Sequence, residues 1–387
     1  MFVEVHILQN FAPSNLNRDD TNAPKDCQFG GYRRARISSQ AIKRAVRDQF
    51  RKERLLAPEE LSVRTKRLVD EVSSRLVALG RDPEQARAVA LAAINGLPAK
   101  TEQDHKTQYL LFLGEREIGN LAEVCQKNWD ALVKVAPAKD GPTDAKSFKK
   151  ASRDAVADLH DQLVSTLDGG KAADLALFGR MIADLPDRNV DAASQVAHAI
   201  STHQVNMEFD FYTAVDDLRP EDTAGADMMG TVEFNSACFY RYANVDVEQL
   251  VKNLSGDTEL AKRTVEAFLK GLVHAMPTGK QHSMAAQNPP SLVYVVIRSD
   301  GRWPWSLANA FVRPVQPSGN VDLIERSVLK LDAYRAKLRE AYACQDIVTE
   351  AAVVVTDDGG KAFEDCRVAT LAELVQRAVG AAFPEKV

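Results

Sequence analysis

The sequence lacks any apolar run of the roughly 18 residues that a membrane-spanning helix needs. Its longest apolar stretch, SLVYVVIRSD from residue 291 to 300, has the length of a strand. The first residues, MFVEVHILQNF, carry Glu4 and His6 within the apolar run and offer no cleavage site of small residues, so a signal peptide is not predicted. We therefore expect a cytoplasmic protein that makes no contact with a membrane.

Cysteines are few, and no C-x-x-C pair occurs among the five. Their wide spacing argues against a structural zinc site and against a disulfide framework. The sequence also lacks an H-E-x-x-H motif, a G-x-G-x-x-G fingerprint and a G-K-[ST] loop. His198 and His203 are five residues apart, which on a strand places them on opposite faces, so both are predicted to be structural. We expect no metal, no cofactor and no catalytic residue.

Net positive charge is absent from the chain as a whole, which has a formal charge of -5. One segment runs against this balance, because residues 25 to 54 contain ten basic side chains and three acidic ones. Such a segment in an acidic protein indicates a localised contact with an anionic partner.

The second half of this basic segment has the spacing of a helix. Apolar Ile42, Val46 and Phe50 recur every four residues, and Ser38 or Ser39 is the predicted N-cap. The N-terminus of a helix favours a phosphate, because its backbone N–H groups are free and its dipole is positive there. Basic side chains line one flank of this predicted helix: Lys43, Arg44, Arg47 and Arg51.

A solvated helix face is the alternative interpretation of these charges. Two upstream features favour a ligand instead, namely the RRAR run that contains Arg34 and the Gly30-Gly31 pair, which lets the backbone approach a ligand closely. Together they predict a surface that follows a phosphate backbone without reading bases.

The order of predicted elements indicates an α+β fold. Residues 2 to 8 alternate as a half-buried strand, and residues 9 to 31 are so rich in turn formers that a long loop is predicted. Residues 58 to 188 read almost entirely as helix, whereas residues 194 to 205 suit either a strand or a helix. Further strands are predicted at 231 to 247, 291 to 299 and 346 to 356, and further helices at about 257 to 275, 321 to 342 and 370 to 382.

Without the helical block, the order is strand, helix, strand, strand, helix, strand. This order is typical of a ferredoxin-like or RRM-like core with helices on one face of an antiparallel sheet and the other face free for a ligand. We predict an RRM-like palm from residues 1–57 and 190–387, a helical fingers subdomain at 58–189, and a β-hairpin thumb at about 201–234.

The connection from residue 206 to 230 carries seven acidic side chains and one basic side chain, Arg219. It also carries apolar side chains that do not alternate into a core: Met207, Phe209, Phe211, Tyr212, Met228 and Met229. Such a projection suits contact with a basic neighbour or a wedge between stacked bases. An ordinary hairpin whose aromatic side chains fold back onto the helical subdomain is the alternative.

The loop aspartates Asp19, Asp20 and Asp26 offer an enzymatic alternative, because clustered carboxylates can bind a divalent ion for phosphodiester cleavage. Adjacent aspartates in a turn-rich loop more often cap backbone amides or pair with a neighbouring base such as Arg18.

Several motifs are spread over the chain: LNRDD, FGG-x-RRARISSQ-x-x-KRA, GRM, AHAISTHQV, FYTAVDDL and FYRYANV. Together they resemble the CasC backbone subunits of the type I-E CRISPR Cascade complex, most densely over residues 1 to 50 and 178 to 250. The resemblance implies an RRM-like palm, helical fingers and a thumb. It also implies subunits that polymerise along one CRISPR guide RNA (crRNA), each thumb displacing a base at regular intervals, and that are not nucleases.

The resemblance implies further roles for particular residues. RNA-backbone contacts are expected at Arg18, Lys25, Arg34, Ser38, Gln40, Lys43, Arg44 and Arg47. Met181, Phe211 and Tyr212 match positions that pack around the displaced nucleotide, and Lys280, in the turn PTGKQHS, is a further candidate contact. Tyr32 departs from the pattern, because it stands where a basic residue is expected.

We therefore expect a non-catalytic crRNA-binding subunit of the antiviral Cascade complex. Its expected partners are crRNA, target DNA through the crRNA heteroduplex, further copies of itself, and the large, small, cap and crRNA-processing subunits. A metal-dependent RNase using Asp19, Asp20 or Asp26 is one alternative, and a monomeric single-strand binder is another.

Overall fold

The computed structural model describes residues 1–97, 101–102, 104–135, 159–213, 229–299, 303–357 and 360–384. The chain is α+β and divides into two compact units. We call Met1–Leu55, Ser194–Val247 and Val265–Val387 the sheet unit, and Leu56–Ala193 with Glu248–Thr264 the helical unit. None of the described helices is long and apolar enough to cross a membrane.

The sheet unit is built on an antiparallel sheet. Its strands are β1 (Phe2–Ser14), β2 (Asp26–Phe29), β3 (Tyr32–Ile37), β6 (Ser194–Val196), β7 (Ala199–Ser201), β8 (Glu208–Thr213), β9 (Met229–Asp246), β10 (Leu292–Arg298) and β11 (Ile347–Val354). They are ordered β11-β10-β1-β9-β7-β3-β2, while β6 and β8 also pair with β9. For residues 194 to 205 the sequence was compatible with either a strand or a helix. This segment contains two short strands, β6 and β7.

Helices cover both faces of this sheet. The sheet unit holds α1 (Ser39–Lys52), the helices Gln281–Met284, Leu323–Tyr342 and Leu371–Ala382, and the 3-10 helix Ala308–Phe311. Helix α1 buries Ile42, Val46 and Phe50, as its spacing predicts. The helices Val247–Asn253 and Thr258–His274 each cross a boundary between the units.

The prediction that one sheet face stays free for a ligand is wrong. On that face the aromatic rings of Tyr240 and Tyr294 lie in one buried cluster with Phe311, Val328 and Leu331. The helix Leu323–Tyr342 and the 3-10 helix Ala308–Phe311 therefore cover it, because an apolar aromatic face is stabilised by burial. Any ligand must bind at an edge of the sheet unit.

Strand β1 was predicted to be half-buried, but both of its faces are buried. Glu4 and His6 lie inside the protein with Val3, Val5 and Ile7. A buried carboxylate needs compensating partners. Arg298 Nε donates to Glu4 Oε1 at 3.0 Å.

The long loop predicted at residues 9 to 31 is shorter than expected. Strand β1 continues to Ser14, and β2 pairs with β3 from Asp26 opposite Ala35 to Phe29 opposite Tyr32. In the turn between β2 and β3, Gly30 and Gly31 have φ angles of 62° and 82°. Two positive φ angles are what a tight two-residue hairpin turn requires, so the pair shapes a turn.

Gly30 does allow a close approach, but to the protein's own backbone. A Cβ atom on Gly30 would lie 2.2 Å from the carbonyl oxygen of Val312, whereas a Cβ on Gly31 would meet nothing within 4 Å. The prediction that the Gly-Gly pair approaches a ligand is therefore wrong for Gly30.

The helical unit contains the helices Leu68–Ala78, Pro83–Gly96, Glu115–Lys127, Trp129–Val135, His160–Ser165 and Ala173–Phe178 and the 3-10 helices Pro58–Glu60 and Pro186–Arg188. It also contains two antiparallel strands that the sequence did not predict, β4 (Ser62–Thr65) and β5 (Leu111–Gly114). All four residues of β5 are buried. Part of the predicted helical block, residues 136 to 158, lies outside the described residues.

Residues 248 to 264, which the sequence assigned to the palm, group with the helical unit. Polar contacts account for this. Asn253 Nδ2 donates to the carbonyl oxygens of Ala176 and Asp191 at 2.9 and 2.7 Å, and Lys171 Nζ lies 3.2 Å from Asp257 Oδ2.

Alanine substitutions at the two turn glycines provide a matched test. Gly31→Ala is expected to lower the free energy of unfolding by about 1 kcal/mol, because only the positive φ is strained. Gly30→Ala adds the overlap with Val312 and is expected to cost about 3 kcal/mol. Chemical denaturation of both variants measures the difference, and equal losses would contradict the close approach.

Candidate nucleic-acid interface

The N-terminus of α1 is held in place by Asn17. The Asn17 side-chain oxygen accepts the Ser38 N–H at 2.8 Å, and its backbone oxygen accepts the Lys25 N–H at 2.9 Å. Asn17 thus fixes Lys25 and the first residues of α1 next to each other.

The first turn of α1 leaves one backbone donor open. Ser38 is the N-cap, and its Oγ accepts the Ala41 N–H at 3.3 Å. The Ser39 N–H donates to His198 Nδ1 at 3.1 Å. Within the described part of the chain, the Gln40 N–H has no hydrogen-bond partner, and the Gln40 side chain is exposed. An anion at this point would gain that donor and the positive end of the helix dipole.

The charges of Arg36 and Lys25 act at this end of α1, where they also affect His198. Burial lowers the pKa of His198, and the charges of Arg36 and Lys25 lower it further. The neutral imidazole is therefore favoured, which is the form that can accept the Ser39 N–H. His198 lies between β6 and β7, not within a strand shared with His203, and through its bond to the Ser39 N–H it shapes the candidate site.

The basic flank of α1 is less uniform than its spacing indicates. Arg44 is exposed and Lys43 is half-buried, whereas Arg47 is only 9% exposed. Arg51 bends back and donates to the carbonyl oxygen of Arg47 at 3.3 Å. The prediction that Arg47 lies on the open flank is wrong, because α1 turns this side chain toward the interior.

Arg34 is not placed to contact RNA, contrary to the prediction. Its side chain is 0% exposed and donates to the carbonyl oxygens of Ser201, Phe311 and Val312 at 3.1, 2.7 and 3.2 Å. Burial lowers the pKa of Arg34. The basic run therefore contains one structural arginine that joins β3 to β7 and to the 311–312 backbone.

Two further predicted contacts come from neighbouring loops. Arg18 is exposed and donates to Asn22 Oδ1 at 3.5 Å. Lys280, which is half-buried, follows Gly279, whose added Cβ would lie only 2.4 Å from the carbonyl oxygen of Leu16. The turn that carries Lys280 thus packs directly on the loop that carries Arg18.

The loop aspartates serve the backbone of their own loop. Asp19 Oδ1 accepts the Thr21 N–H, the Thr21 hydroxyl and the Ala23 N–H at 2.9, 2.8 and 3.0 Å. The hydrogen bond from Thr21 lowers the pKa of the Asp19 carboxyl. Asp26 pairs with Arg33, while Asp20 is exposed. Among the described residues, no group of three His, Cys, Asp or Glu side chains is arranged to hold a metal ion.

The base of the predicted thumb is a hairpin of β8 and β9, paired from Glu208 opposite Phe234 to Thr213 opposite Met229. Phe209 and Phe211 share one face, and Phe211 is 61% exposed. Tyr212 lies on the other face against Gly230, whose added Cβ would be 2.4 Å from the Tyr212 hydroxyl. The remainder of the predicted projection, residues 214 to 228, lies outside the described residues.

Met181 belongs to the helical unit, where its neighbours in the GRM motif present it to solvent. Arg180 forms a buried ion pair with Glu117 at 2.8 Å, and Gly179 has a φ of 76° at a point where its Cβ would be 2.9 Å from the Val190 oxygen. Met181 itself is 82% exposed. A single exposed apolar side chain is common on protein surfaces, so the contact of Met181 with a nucleotide stays a prediction.

Sequence reasoning missed the side chains that position this site. Asn15 is fully buried and donates to the carbonyl oxygens of Asn22 and Glu233, both at 2.9 Å, so it links the Arg18 loop to β9. Asn17 and His198 hold the start of α1. The signal available was the N-x-N spacing of Asn15 and Asn17 at the start of this turn-rich loop, because asparagines in turns commonly bond to the backbone.

The sheet unit is α+β, and the N-terminus of α1 within it is open and flanked by basic side chains. The chain matches the model of the CT1975-like protein family over residues 3–377 and belongs to that family. No curated protein sequence matches the chain.

Solved structures are similar over the whole chain. One, described as "CRISPR RNA-guided surveillance complex, pre-nicking", is 32% identical with a TM-score of 0.83, and the match covers 99% of this chain and 100% of the other. A second, described as "CRISPR RNA-guided surveillance complex", is 28% identical with a TM-score of 0.72 and coverage of 98% and 100%.

Alanine substitutions at two adjacent arginines test which of them stabilises the fold. Arg34→Ala removes the donor of three buried carbonyl groups and is expected to cost about 3 kcal/mol of stability or more. Arg33→Ala removes a partly exposed ion pair and is expected to change stability by at most about 0.5 kcal/mol. Denaturation of both variants measures this, and a stable Arg34→Ala protein would refute the structural role.

Proposed function

We propose that the chain is a non-catalytic crRNA-binding backbone subunit of a cytoplasmic type I-E CRISPR Cascade complex, related to CasC. The observation that carries this proposal is the anion site at the start of α1, where the Gln40 N–H, Ser38, Lys25 and Arg44 lie together. The similarity to chains of RNA-guided surveillance complexes supports it independently.

The contacts we propose are with the RNA backbone. Lys25, Gln40, Lys43 and Arg44 present one charged or polar surface around a helix N-terminus, and Arg18 and Lys280 extend it along the packed loops. Ser38, which was also predicted to contact RNA, is only 6% exposed and acts here as the cap of that helix. None of these groups is arranged as a pocket for a base. Phosphate contacts of this kind do not depend on base sequence, which a subunit that accepts guides of any sequence requires.

The sheet supports an RRM-like palm. In the pattern strand, helix, strand, strand, helix, strand, the first and third strands correspond to β1 and β9, which pair at the centre, with β10 and β7 outside them. This arrangement is typical of a split βαβ fold. Because both sheet faces are covered, the RNA in this proposal follows the edge beside α1 instead of a sheet face.

We propose that the hairpin of β8 and β9 is the base of a thumb that displaces a nucleotide of the RNA. In this proposal, three exposed apolar side chains pack around that nucleotide. They are Phe211 and Tyr212 of the hairpin and Met181 of the helical unit. Aromatic and methionine side chains can replace the stacking that a displaced base loses.

The partners in this proposal follow from the assembly. Further copies of the chain bind successive segments of one crRNA, and target DNA is reached by pairing with that crRNA. The large, small, cap and crRNA-processing subunits complete the complex. Sizing the protein with and without a guide RNA distinguishes the filament from a monomeric single-strand binder.

Removing three charges at the α1 surface tests the RNA contact. In the variant Lys25→Ala, Lys43→Ala, Arg44→Ala, the affinity for guide RNA is expected to fall about 100-fold, and the slope of log K against log salt to flatten by about 2. Arg47 is left unchanged because it is buried. Filter binding over a salt series and size-exclusion chromatography measure affinity and assembly.

A matched variant controls for net charge. Lys127, Lys262 and Lys337 are exposed lysines outside this surface, and replacing all three by Ala removes the same charge. The control is expected to keep at least about one third of the wild-type affinity. Equal losses in the two variants would contradict a localised RNA site.

The non-catalytic role is tested by incubating the protein, its guide and complementary RNA with Mg²⁺. We expect no cleavage, since Asp19 and Asp26 are engaged within their own segment. Regularly spaced cuts that disappear in an Asp20→Ala variant would contradict the proposal and favour the RNase alternative. An Asp104→Ala variant, which removes an exposed aspartate of the helical unit, serves as the control.

A further inference from the structure

The sheet unit contains an aromatic pocket that the proposed function does not use. Its volume is about 390 Å³, and Trp303, Trp305 and Tyr342 form its walls, with Arg298 and Asp346 beside them. Trp303 and Tyr342 are 68% and 58% exposed. Large apolar side chains at this exposure are commonly part of a binding surface.

The three aromatic side chains of the pocket contact one another, and one of them is anchored to the sheet. The tyrosine ring meets both tryptophans nearly edge to face, at centroid distances of 6.4 Å for Trp303 and 5.4 Å for Trp305. The Trp305 backbone N–H donates to Glu4 Oε1 at 2.6 Å, which anchors this wall to β1. A pocket fixed in this way loses little conformational entropy when a ligand binds.

The protein already stacks one cation in this pocket. The Arg298 guanidinium lies 4.4 Å from the centre of the Trp305 ring. It is held there by Glu4 at 3.0 Å and by Asp346 at 2.9 Å. Among the described residues, no cation lies over the ring of Trp303 or of Tyr342, so two aromatic faces of the same pocket remain open to one.

The electrostatic environment favours a second cation. The charged residues that line the pocket, Arg298 and Asp346, cancel each other, and the buried carboxylate of Glu4 behind Arg298 leaves this ion cluster with a formal charge of -1. The pocket also lies at the C-terminus of the helix Leu323–Tyr342, where the helix dipole is negative. The negative charge and the helix dipole both repel phosphate, so a nucleotide fits this pocket less well than a cation does.

The geometry points to a docking site for an arginine side chain of a partner polypeptide, stacked on the solvent-exposed face of Trp303 beside Tyr342. Arginine fits better than lysine because its planar guanidinium stacks on aromatic faces and is weakly hydrated. This inference goes beyond RNA binding and does not rest on it.

The tryptophan content makes the site directly observable. The chain has three tryptophans, two in the pocket and the third, Trp129, in the helical unit. With 5-fluorotryptophan incorporated, fluorine NMR gives one signal for each, assigned by single Trp→Phe variants. N-acetylargininamide is titrated into the RNA-free protein, and N-acetylcitrullinamide is its neutral counterpart of the same shape.

We expect the arginine derivative to shift the Trp303 signal saturably while the Trp129 signal stays in place. The citrulline derivative should leave both unchanged, and Tyr342→Leu should weaken arginine binding about fivefold, which corresponds to about 1 kcal/mol of cation–π attraction. An unchanged Trp129 signal in that variant reports an intact fold.

Three outcomes would overturn the proposal. They are equal shifts with the citrulline derivative, a Trp303 shift by adenosine monophosphate at lower concentration than by the arginine derivative, and no saturable shift at all. None of them bears on RNA binding, since RNA is absent from the titration.

Discussion

Inside the sheet unit, the guanidinium of Arg34 donates to the backbone oxygens of Ser201, Phe311 and Val312. The two terminal nitrogens of this buried guanidinium make all three bonds, while its Nε has no partner among the described residues, and the three bonds fix these segments relative to β3. Strand β3 leads directly into Ser38 and α1. The exposed basic surface therefore depends on one basic side chain that is itself removed from solvent.

Polar side chains in the interior position the site more than apolar packing does. Asn17 joins the Lys25 backbone to the Ser38 cap, and Asn15 joins the same loop to β9. His198 takes up one N–H of the first helical turn and leaves the next one open. Each bond removes an alternative arrangement of the loop, so the backbone that carries the basic side chains around the start of α1 is fixed.

The same chain carries two surfaces of opposite character. The α1 surface is positive and built around a helix N-terminus, whereas the aromatic pocket lies at a helix C-terminus, next to an ion cluster of Arg298, Asp346 and Glu4 with a formal charge of -1. Helix dipoles and local charge pairs thus separate the surface proposed to bind phosphate from the one proposed to bind a cationic side chain. In an assembly of RNA and protein, this separation reduces competition between the two kinds of partner.

Several features were predictable from the sequence because they depend on local spacing. These include α1 with its apolar stripe, the Ser38 cap, the strands of the central sheet and the local excess of basic residues. Tertiary structure alone decided that Arg34 and Arg47 are buried, that the Gly30-Gly31 pair forms a turn against Val312, and that helices cover both faces of the sheet. Charge and periodicity state what a residue prefers, but burial depends on which distant segments pack against it. The partners of Arg34 lie 167 and 277 residues away along the chain.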